Sequence, residues 1–175
     1  PNHDRPVYAA MVYSMDRAVG QVMQSLRETG AYENTLVFFL SDNGGAFNNN
    51  SSVGPLKGWK GNQFEGGIRV PFLVSWPRHL PAGNKHTGMI SSLDIFATAL
   101  DAAGGQEMSS LDGVSLLPLL AGDDRSLAAH HTLFWRKDEM ATIRPGSHKL
   151  TRLDAFGASV YGPSEPGLTD EHHAL

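Results

Sequence analysis

The amino-acid sequence predicts an α/β domain with a mainly parallel sheet and packing helices, followed by a small antiparallel subdomain. Two continuous apolar runs lack the alternation of half-exposed strands, which is typical of strands covered on both faces in a parallel sheet. Helical apolar patterns lie before the first run and after the second. Short strand candidates then follow towards the C-terminus.

The first predicted element is a helix over residues 8–29. Its apolar residues recur every three to four positions and share one helical face: Met11, Met15, Val19, Val22 and Leu26. Gly30 follows, where a left-handed C-cap favours glycine. We expect a surface helix that packs on a core through its apolar face and ends at Gly30.

The two apolar runs predict buried strands at residues 35–40 and 70–76, the first of them central in the sheet. Pro71 lacks an N–H group, so it is expected at a sheet edge or among the first residues of its strand. A loop rich in Gly, Asn and Ser connects the strands over residues 46–67, and its length indicates a functional role. Ligands bind beyond the carboxyl ends of strands in such sheets, which places the polar residues 41–45 at the expected active edge.

The second half of the chain begins with a helix. Asp94 is interpreted as the N-cap of an apolar helix over residues 95–103, which Gly104 ends. Strand candidates near residues 132–135, 141–144 and 149–153 predict the antiparallel subdomain, and the tail from Gly157 is predicted to be loop. We therefore expect two domains, at residues 1–125 and 126–175.

Composition excludes several classes of function. The 175 residues are 41% hydrophobic and 18% charged, as in a globular domain with a substantial core. A net charge of -4 provides no overall positive field, so nucleic acid is not an expected partner. Cysteine is absent, which excludes disulfides, thiolate ligands and a cysteine nucleophile in these residues. No apolar run is long enough to suggest a membrane span.

Asp42 and Asn43 are candidate metal ligands, because they supply a carboxylate and an amide oxygen directly after a predicted strand. Oxygen donors suit calcium or magnesium. The alternative is an ordinary turn, since Asp, Asn and Gly are common turn residues. Of the eight histidines, the adjacent pairs His130-His131 and His172-His173 lack a helical partner four residues away and are expected at the surface.

Lys57 and Lys60 are candidate anion ligands within the string L-K-G-W-K-G. Glycines let the backbone approach a bound group closely, while a compact ammonium reaches it. This chemistry suits a sulfate or a phosphate. A solvated basic loop is the alternative interpretation.

The order of these segments resembles the sulfatase family, arylsulfatases included, of the alkaline-phosphatase superfamily. The resemblance extends from about Tyr8 to Leu153 through S-D-N-G-G, L-K-G-W-K-G, E-G-G-I-R-V-P-F, W-P, S-L-D-I-F-A-T-A-L and L-D-G-V-S-L-L-P-L-L. A series of matched segments is far more specific than any single motif. It implies an alkaline-phosphatase-like sheet and the C-terminal portion of a sulfatase.

The resemblance also implies roles for the candidate residues. Asp42 and Asn43 would complete a calcium site, with magnesium as a possible substitute, that a pair of aspartates upstream begins. Lys60 would contact the sulfate group and stabilise the transferring group or its leaving oxygen. Lys57 would either contact the substrate or be a loop charge.

Two further residues, Glu65 and Arg69, match a family segment with a mainly structural part. They would pair their charges and hold the loop against the next strand.

The sequence departs from the family pattern at the nucleophile. The family makes a formylglycine from the first residue of a C/S-x-P/A-S-R segment, and residues 162–165 match only part of it. The resemblance therefore implies that the nucleophile, the aspartate pair and other pocket residues precede residue 1. The segments 147–150 and 160–163 also differ from the family pattern, which makes the last twenty residues the least similar part of the chain.

The activity implied for the intact enzyme is hydrolysis of aryl or carbohydrate sulfate esters, with the remaining N-terminal half as the partner of this chain. The chain alone is expected to be inactive and to expose apolar surface. One alternative is a phosphonate or phosphodiester hydrolase of the same superfamily. Another is a non-catalytic domain derived from a sulfatase. The family resemblance implies a periplasmic, secreted or lysosomal location.

Overall fold

The computed structural model describes residues 5–49, 51–106, 108–122 and 128–153. They form two compact units: the first contains residues up to Phe39 together with Phe72–His130, and the second contains Leu40–Pro71 together with the residues from His131 onwards. The predicted tail, the segments 160–163 and 162–165 and the pair His172-His173 lie outside the described residues. The predicted domain boundary after residue 125 stays a prediction.

The helix predicted from the apolar repeat is present as α1, Pro6–Glu28. Gly30 follows it with a φ of 72°, as a glycine C-cap requires. No residue of α1 is buried, and Val7, Met11 and Val22 are 73%, 67% and 60% exposed. The expected packing of this apolar face on a core is therefore not seen in the part of the chain that the structure describes.

A short 3-10 helix, Tyr32–Asn34, leads into β1, Val37–Leu40, which pairs with β2, Phe72–Ser75. Phe38 packs edge-to-face on Phe72, with ring centroids 6.2 Å apart. Phe39 is 38% exposed, and β2 is the one strand that pairs with β1 among the described residues. Pro71, predicted among the first residues of this strand, lies directly before it, because β2 begins at Phe72 and not at residue 70.

The core of the first unit lies between α3, Asp94–Ala102, and α4, Leu117–Ala121. Thr98 is fully buried: its hydroxyl donates to the Asp94 carbonyl at 2.6 Å and accepts the N–H of Leu116 at 2.9 Å. Gly104 follows α3 with a φ of 72°, as expected. None of the helices in the described ranges combines the length and the hydrophobicity that a bilayer crossing requires.

Asp94 is not an N-cap, because α3 begins at Asp94 itself and Leu93 occupies the capping position. Its fully buried carboxylate accepts the N–H groups of Ser91 at 2.7 Å and Val114 at 3.0 Å, and lies 2.7 Å from Nε2 of His130. The side chain of His130 is only 12% exposed. The expectation of a surface histidine is therefore wrong for His130, because its ring contacts the buried carboxylate of a residue 36 positions earlier in the chain.

The second unit contains the antiparallel sheet that the sequence predicts. Its strands are β3, Thr132–Lys137, β4, Met140–Pro145, and β5, Leu150–Arg152. The Thr142 hydroxyl donates to that of Thr151 across the β4–β5 pair at 2.9 Å. The side chain of Gln63 donates to the Met140 carbonyl at 3.3 Å, and both residues are buried. One part of the long loop therefore packs against this sheet.

Candidate functional site

The candidate metal ligands come directly after β1. Asp42 is exposed and Asn43 half-buried, and the Ser41 hydroxyl fixes the turn by donating to the Asn43 carbonyl at 2.7 Å. Within the described ranges, neither the Asp42 carboxylate nor the Asn43 side-chain amide has a hydrogen-bond partner. Their oxygen atoms are therefore available to a cation.

The donor chemistry of Asp42 and Asn43 fits calcium but supplies only part of a coordination shell. Calcium takes six to eight oxygen ligands. Among the described residues, no group of three or more His, Asp and Glu side chains is placed to hold a metal ion. A complete site would need ligands beyond these two residues.

Three backbone segments, residues 44–45, 57–60 and 66–67, form what we call the glycine scaffold. Main-chain hydrogen bonds join them: Gly44 N–H to Gly67 O at 2.9 Å, Lys60 N–H to Gly45 O at 2.9 Å, and Gly66 N–H to Lys57 O at 2.6 Å. A Cβ atom at Gly44 would lie 1.7 Å from the Gly66 carbonyl oxygen, and one at Gly66 would lie 2.5 Å from that of Gly58. The three backbone segments can approach this closely because Gly44 and Gly66 carry no side chain.

The glycine scaffold brings the backbone of residues 57–60, which we call the lysine loop, against Gly45, two residues after Asn43. Lys60 is exposed. The Lys57 ammonium lies 4.7 Å from the centroid of the Phe64 ring, and burial lowers the pKa of Lys57. The two lysines thus differ in environment, and the roles predicted for them remain predictions.

Gly44→Ala tests the glycine scaffold. Its methyl group would overlap the Gly66 carbonyl, and main chain cannot move aside as a side chain can. We expect the free energy of unfolding to fall by about 1–3 kcal/mol, measured by urea denaturation. Gly20→Ala in α1, where a Cβ meets nothing within 4 Å, is the control. Equal stabilities of the two variants would contradict the steric argument.

Glu65, the first residue of α2, Glu65–Ile68, is the centre of a charge cluster in the second unit. Its carboxylate, 11% exposed, lies 2.8 Å from Nζ of Lys149, 3.2 Å from Nη1 of Arg144 and 3.9 Å from Nη1 of Arg69. Burial lowers the pKa of Lys149, and the hydrogen bond and charge of Glu65 oppose that shift. The predicted Glu65–Arg69 pair is thus present as the longest of three contacts. Since α2 is helical, the unstructured loop ends earlier than expected.

Sequence reasoning missed Arg144 and Lys149, which lie 79 and 84 residues from Glu65. The position of Arg144 in the strand pattern does indicate that it needs a partner of opposite charge. In β4 it shares a strand face with the buried residues Met140 and Thr142, where an unpaired charge would be costly.

The described residues of the second unit carry a positive charge balance, although the whole chain is acidic. Its described residues include eight lysines and arginines and four carboxylates. The cations are Lys57, Lys60, Arg69, Arg136, Lys137, Arg144, Lys149 and Arg152. In the sequence the same unit also contains Asp154, Glu165, Asp170 and Glu171, which bring its carboxylates to eight, so the unit as a whole has no net positive charge.

The fold and the matched segments define the class of protein: the chain has the fold of the alkaline-phosphatase-like proteins. A sequence profile described as Sulfatase matches residues 1–105. The chain therefore belongs to the sulfatase family.

Individual relatives support this assignment. The chain is 35% identical to N-acetylgalactosamine-6-sulfatase of Canis lupus familiaris over 148 residues, 81% of this chain and 28% of the relative. It is 38% identical to arylsulfatase A of Bos taurus over 160 residues, 85% of this chain and 31% of the relative. The chain thus spans about a third or less of the length of these relatives.

Solved structures agree on the fold. The crystal structure of Ps i-CgsB in complex with k-i-k-neocarrahexaose aligns with a TM-score of 0.77 and 34% identity, over 88% of this chain and 35% of that one. Phosphonate monoester hydrolase from Silicibacter pomeroyi aligns with a TM-score of 0.64 at 23% identity, over 78% of this chain and 30% of that one. The second likeness shows a shared fold alone.

Proposed function

We propose that this chain forms part of the sulfate-binding site of an enzyme that hydrolyses sulfate esters. The observation that carries the proposal is the glycine scaffold, which joins the lysine loop to the residues following Asp42 and Asn43 in a chain of the sulfatase family. A metal ion held by Asp42 and Asn43 and the ammonium groups of the lysines would each offset the charge of a sulfate ester.

Each candidate residue has a role in this proposal. Asp42 and Asn43 would hold calcium, or magnesium in its place, through their side-chain oxygens, and the bound ion would offset charge on the sulfate oxygens. The exposed Lys60 ammonium donates hydrogen bonds to a sulfate oxygen and stabilises charge on the leaving oxygen. The less solvated Lys57 adds positive charge beside it. The nucleophile, a formylglycine in this family, comes from outside the 175 residues, because neither form of its segment occurs in them.

The substrate class we propose is an aryl or a carbohydrate sulfate, and the arylsulfatase A relative supports the aryl ester. One relative is named for N-acetylgalactosamine, and one solved structure contains k-i-k-neocarrahexaose. The phosphonate hydrolase alternative has weaker support, since that likeness shows only the fold. A non-catalytic sulfatase-derived domain would keep the scaffold without the nucleophile.

Incubating the full-length protein that contains this chain with sulfated oligosaccharides, an aryl sulfate and a phosphonate monoester tests the proposal. We expect inorganic sulfate to be released from the sulfate esters, and removal of divalent ions by a chelator to abolish the release until calcium is restored. Hydrolysis of the phosphonate in preference to every sulfate ester would favour the alternative. No hydrolysis of any of them would indicate the non-catalytic domain.

Asp42→Asn tests the metal assignment in the same full-length protein. Loss of one carboxylate charge is expected to weaken calcium binding about tenfold or more, measured by isothermal titration calorimetry. Asp138→Asn, an exposed carboxylate of the same unit, is the matched control and should bind calcium like the wild type. Equal affinity of the Asp42→Asn variant and the wild type would show that Asp42 is a turn residue and not a ligand.

A further inference from the structure

A single carboxylate connects the antiparallel sheet to the glycine scaffold. Glu65 contacts Arg144 in β4 and Lys149 just before β5, and the exposed fractions of the three side chains are 11%, 17% and 12%. Ion pairs shielded from water in this way are coupled much more strongly than surface pairs. Removing the carboxylate would leave two cations close together without their counter-charge.

The residues after Glu65 belong to the glycine scaffold. The N–H of Gly66 donates to the carbonyl of Lys57 at 2.6 Å, and the carbonyl of Gly67 accepts the N–H of Gly44 at 2.9 Å. These contacts are between main-chain atoms, so no side-chain rotation can absorb a shift of α2. A displacement at Glu65 would therefore move the backbone that carries Lys57 and the backbone that follows Asp42.

We propose that Glu65 is a positioning residue: by holding α2 between Arg144 and Lys149, it sets the place of the lysine loop. The antiparallel sheet then contributes to catalysis although none of its residues belongs to the proposed pocket. The effect on turnover rests on the proposed function. The effect on the loop itself does not.

The experiment compares Glu65→Gln with Glu139→Gln in the full-length protein, because Glu139 is an exposed carboxylate of the same unit. We expect Glu65→Gln to lower kcat about ten- to a hundred-fold. Adding Lys60→Ala to Glu65→Gln should then lower kcat much less than Lys60→Ala does alone, because an ammonium that is already misplaced contributes little to kcat. Amide hydrogen exchange over residues 57–67 should also become at least about tenfold faster. Glu139→Gln should change none of these quantities.

Substitutions of Lys149 provide a second route if Glu65→Gln does not fold. Lys149→Met should accelerate exchange over residues 57–67, whereas Lys149→Arg should retain much of the protection because it keeps the charge. Full additivity of the Glu65 and Lys60 effects on kcat would overturn the positioning role. So would unchanged exchange over residues 57–67 in both Glu65→Gln and Lys149→Met. If the wild-type protein hydrolyses no sulfate ester, the proposed function fails while the exchange measurements still decide the role of Glu65.

Discussion

Replacing Lys60 with alanine in the full-length protein is expected to lower kcat roughly a hundred- to a thousand-fold, or about 3–4 kcal/mol in the barrier. Loss of one preorganised electrostatic donor has an effect of this size, since the charge on the leaving oxygen develops in the transition state. The Lys60 backbone is held by its hydrogen bond to Gly45, and its exposed side chain extends from that fixed point. Steady-state kinetics with a sulfate ester, together with circular dichroism to verify folding, provides the measurement.

The variants around Lys60 separate a specific contact from a general charge effect. Lys60→Arg should restore only part of the activity, because a planar guanidinium replaces a compact ammonium. Lys85→Ala removes an exposed lysine from the other unit and should keep wild-type kcat. Lys57 cannot serve as this control, since it is half-buried. Near-wild-type kcat in folded Lys60→Ala would refute the assignment.

Replacing Asp94 with alanine should lower the free energy of unfolding by about 3–5 kcal/mol. The change leaves the N–H groups of Ser91 and Val114 and the ring of His130 without their common acceptor. Because these partners come from three segments of the first unit, the loss should weaken the whole unit. Urea denaturation followed by circular dichroism measures it.

Two comparisons make the Asp94 result specific. Asp16→Ala removes an exposed carboxylate from α1 and should change stability by less than about 0.5 kcal/mol. Combining His130→Ala with Asp94→Ala should be clearly less than additive, because both changes remove the same contact. A loss below about 1 kcal/mol in Asp94→Ala would mean that other groups satisfy these donors.

Local pattern was sufficient to predict most elements. The apolar repeat and Gly30 predicted α1 and its end, and short strand candidates predicted β3, β4 and β5. These features depend on residues a few positions apart. Burial depends instead on what packs against an element, so periodicity could not show that the apolar face of α1 is exposed in the described structure.

Local sequence patterns also could not predict the long-range polar contacts, because these join residues far apart in the chain. Asp94 has the residue type of an N-cap, yet its partners include His130, and Glu65 contacts Arg144 in β4 and Lys149 just before β5, both far along the chain. The candidate ligands Asp42, Asn43, Lys57 and Lys60 were identified from the order of the family segments along the chain and not from their geometry.

The glycine scaffold has a consequence for the thermodynamics of ligand binding. Its contacts are made by peptide groups, which have no rotamers to immobilise when a ligand arrives. Most of the conformational entropy of this loop is lost when the chain folds, because glycine gives up more backbone freedom than any other residue. A sulfate group would thus bind to a preorganised backbone, and little more than the lysine side chains would be ordered on binding. The affinity of the site would then depend on the conformational entropy that the loop has already lost on folding.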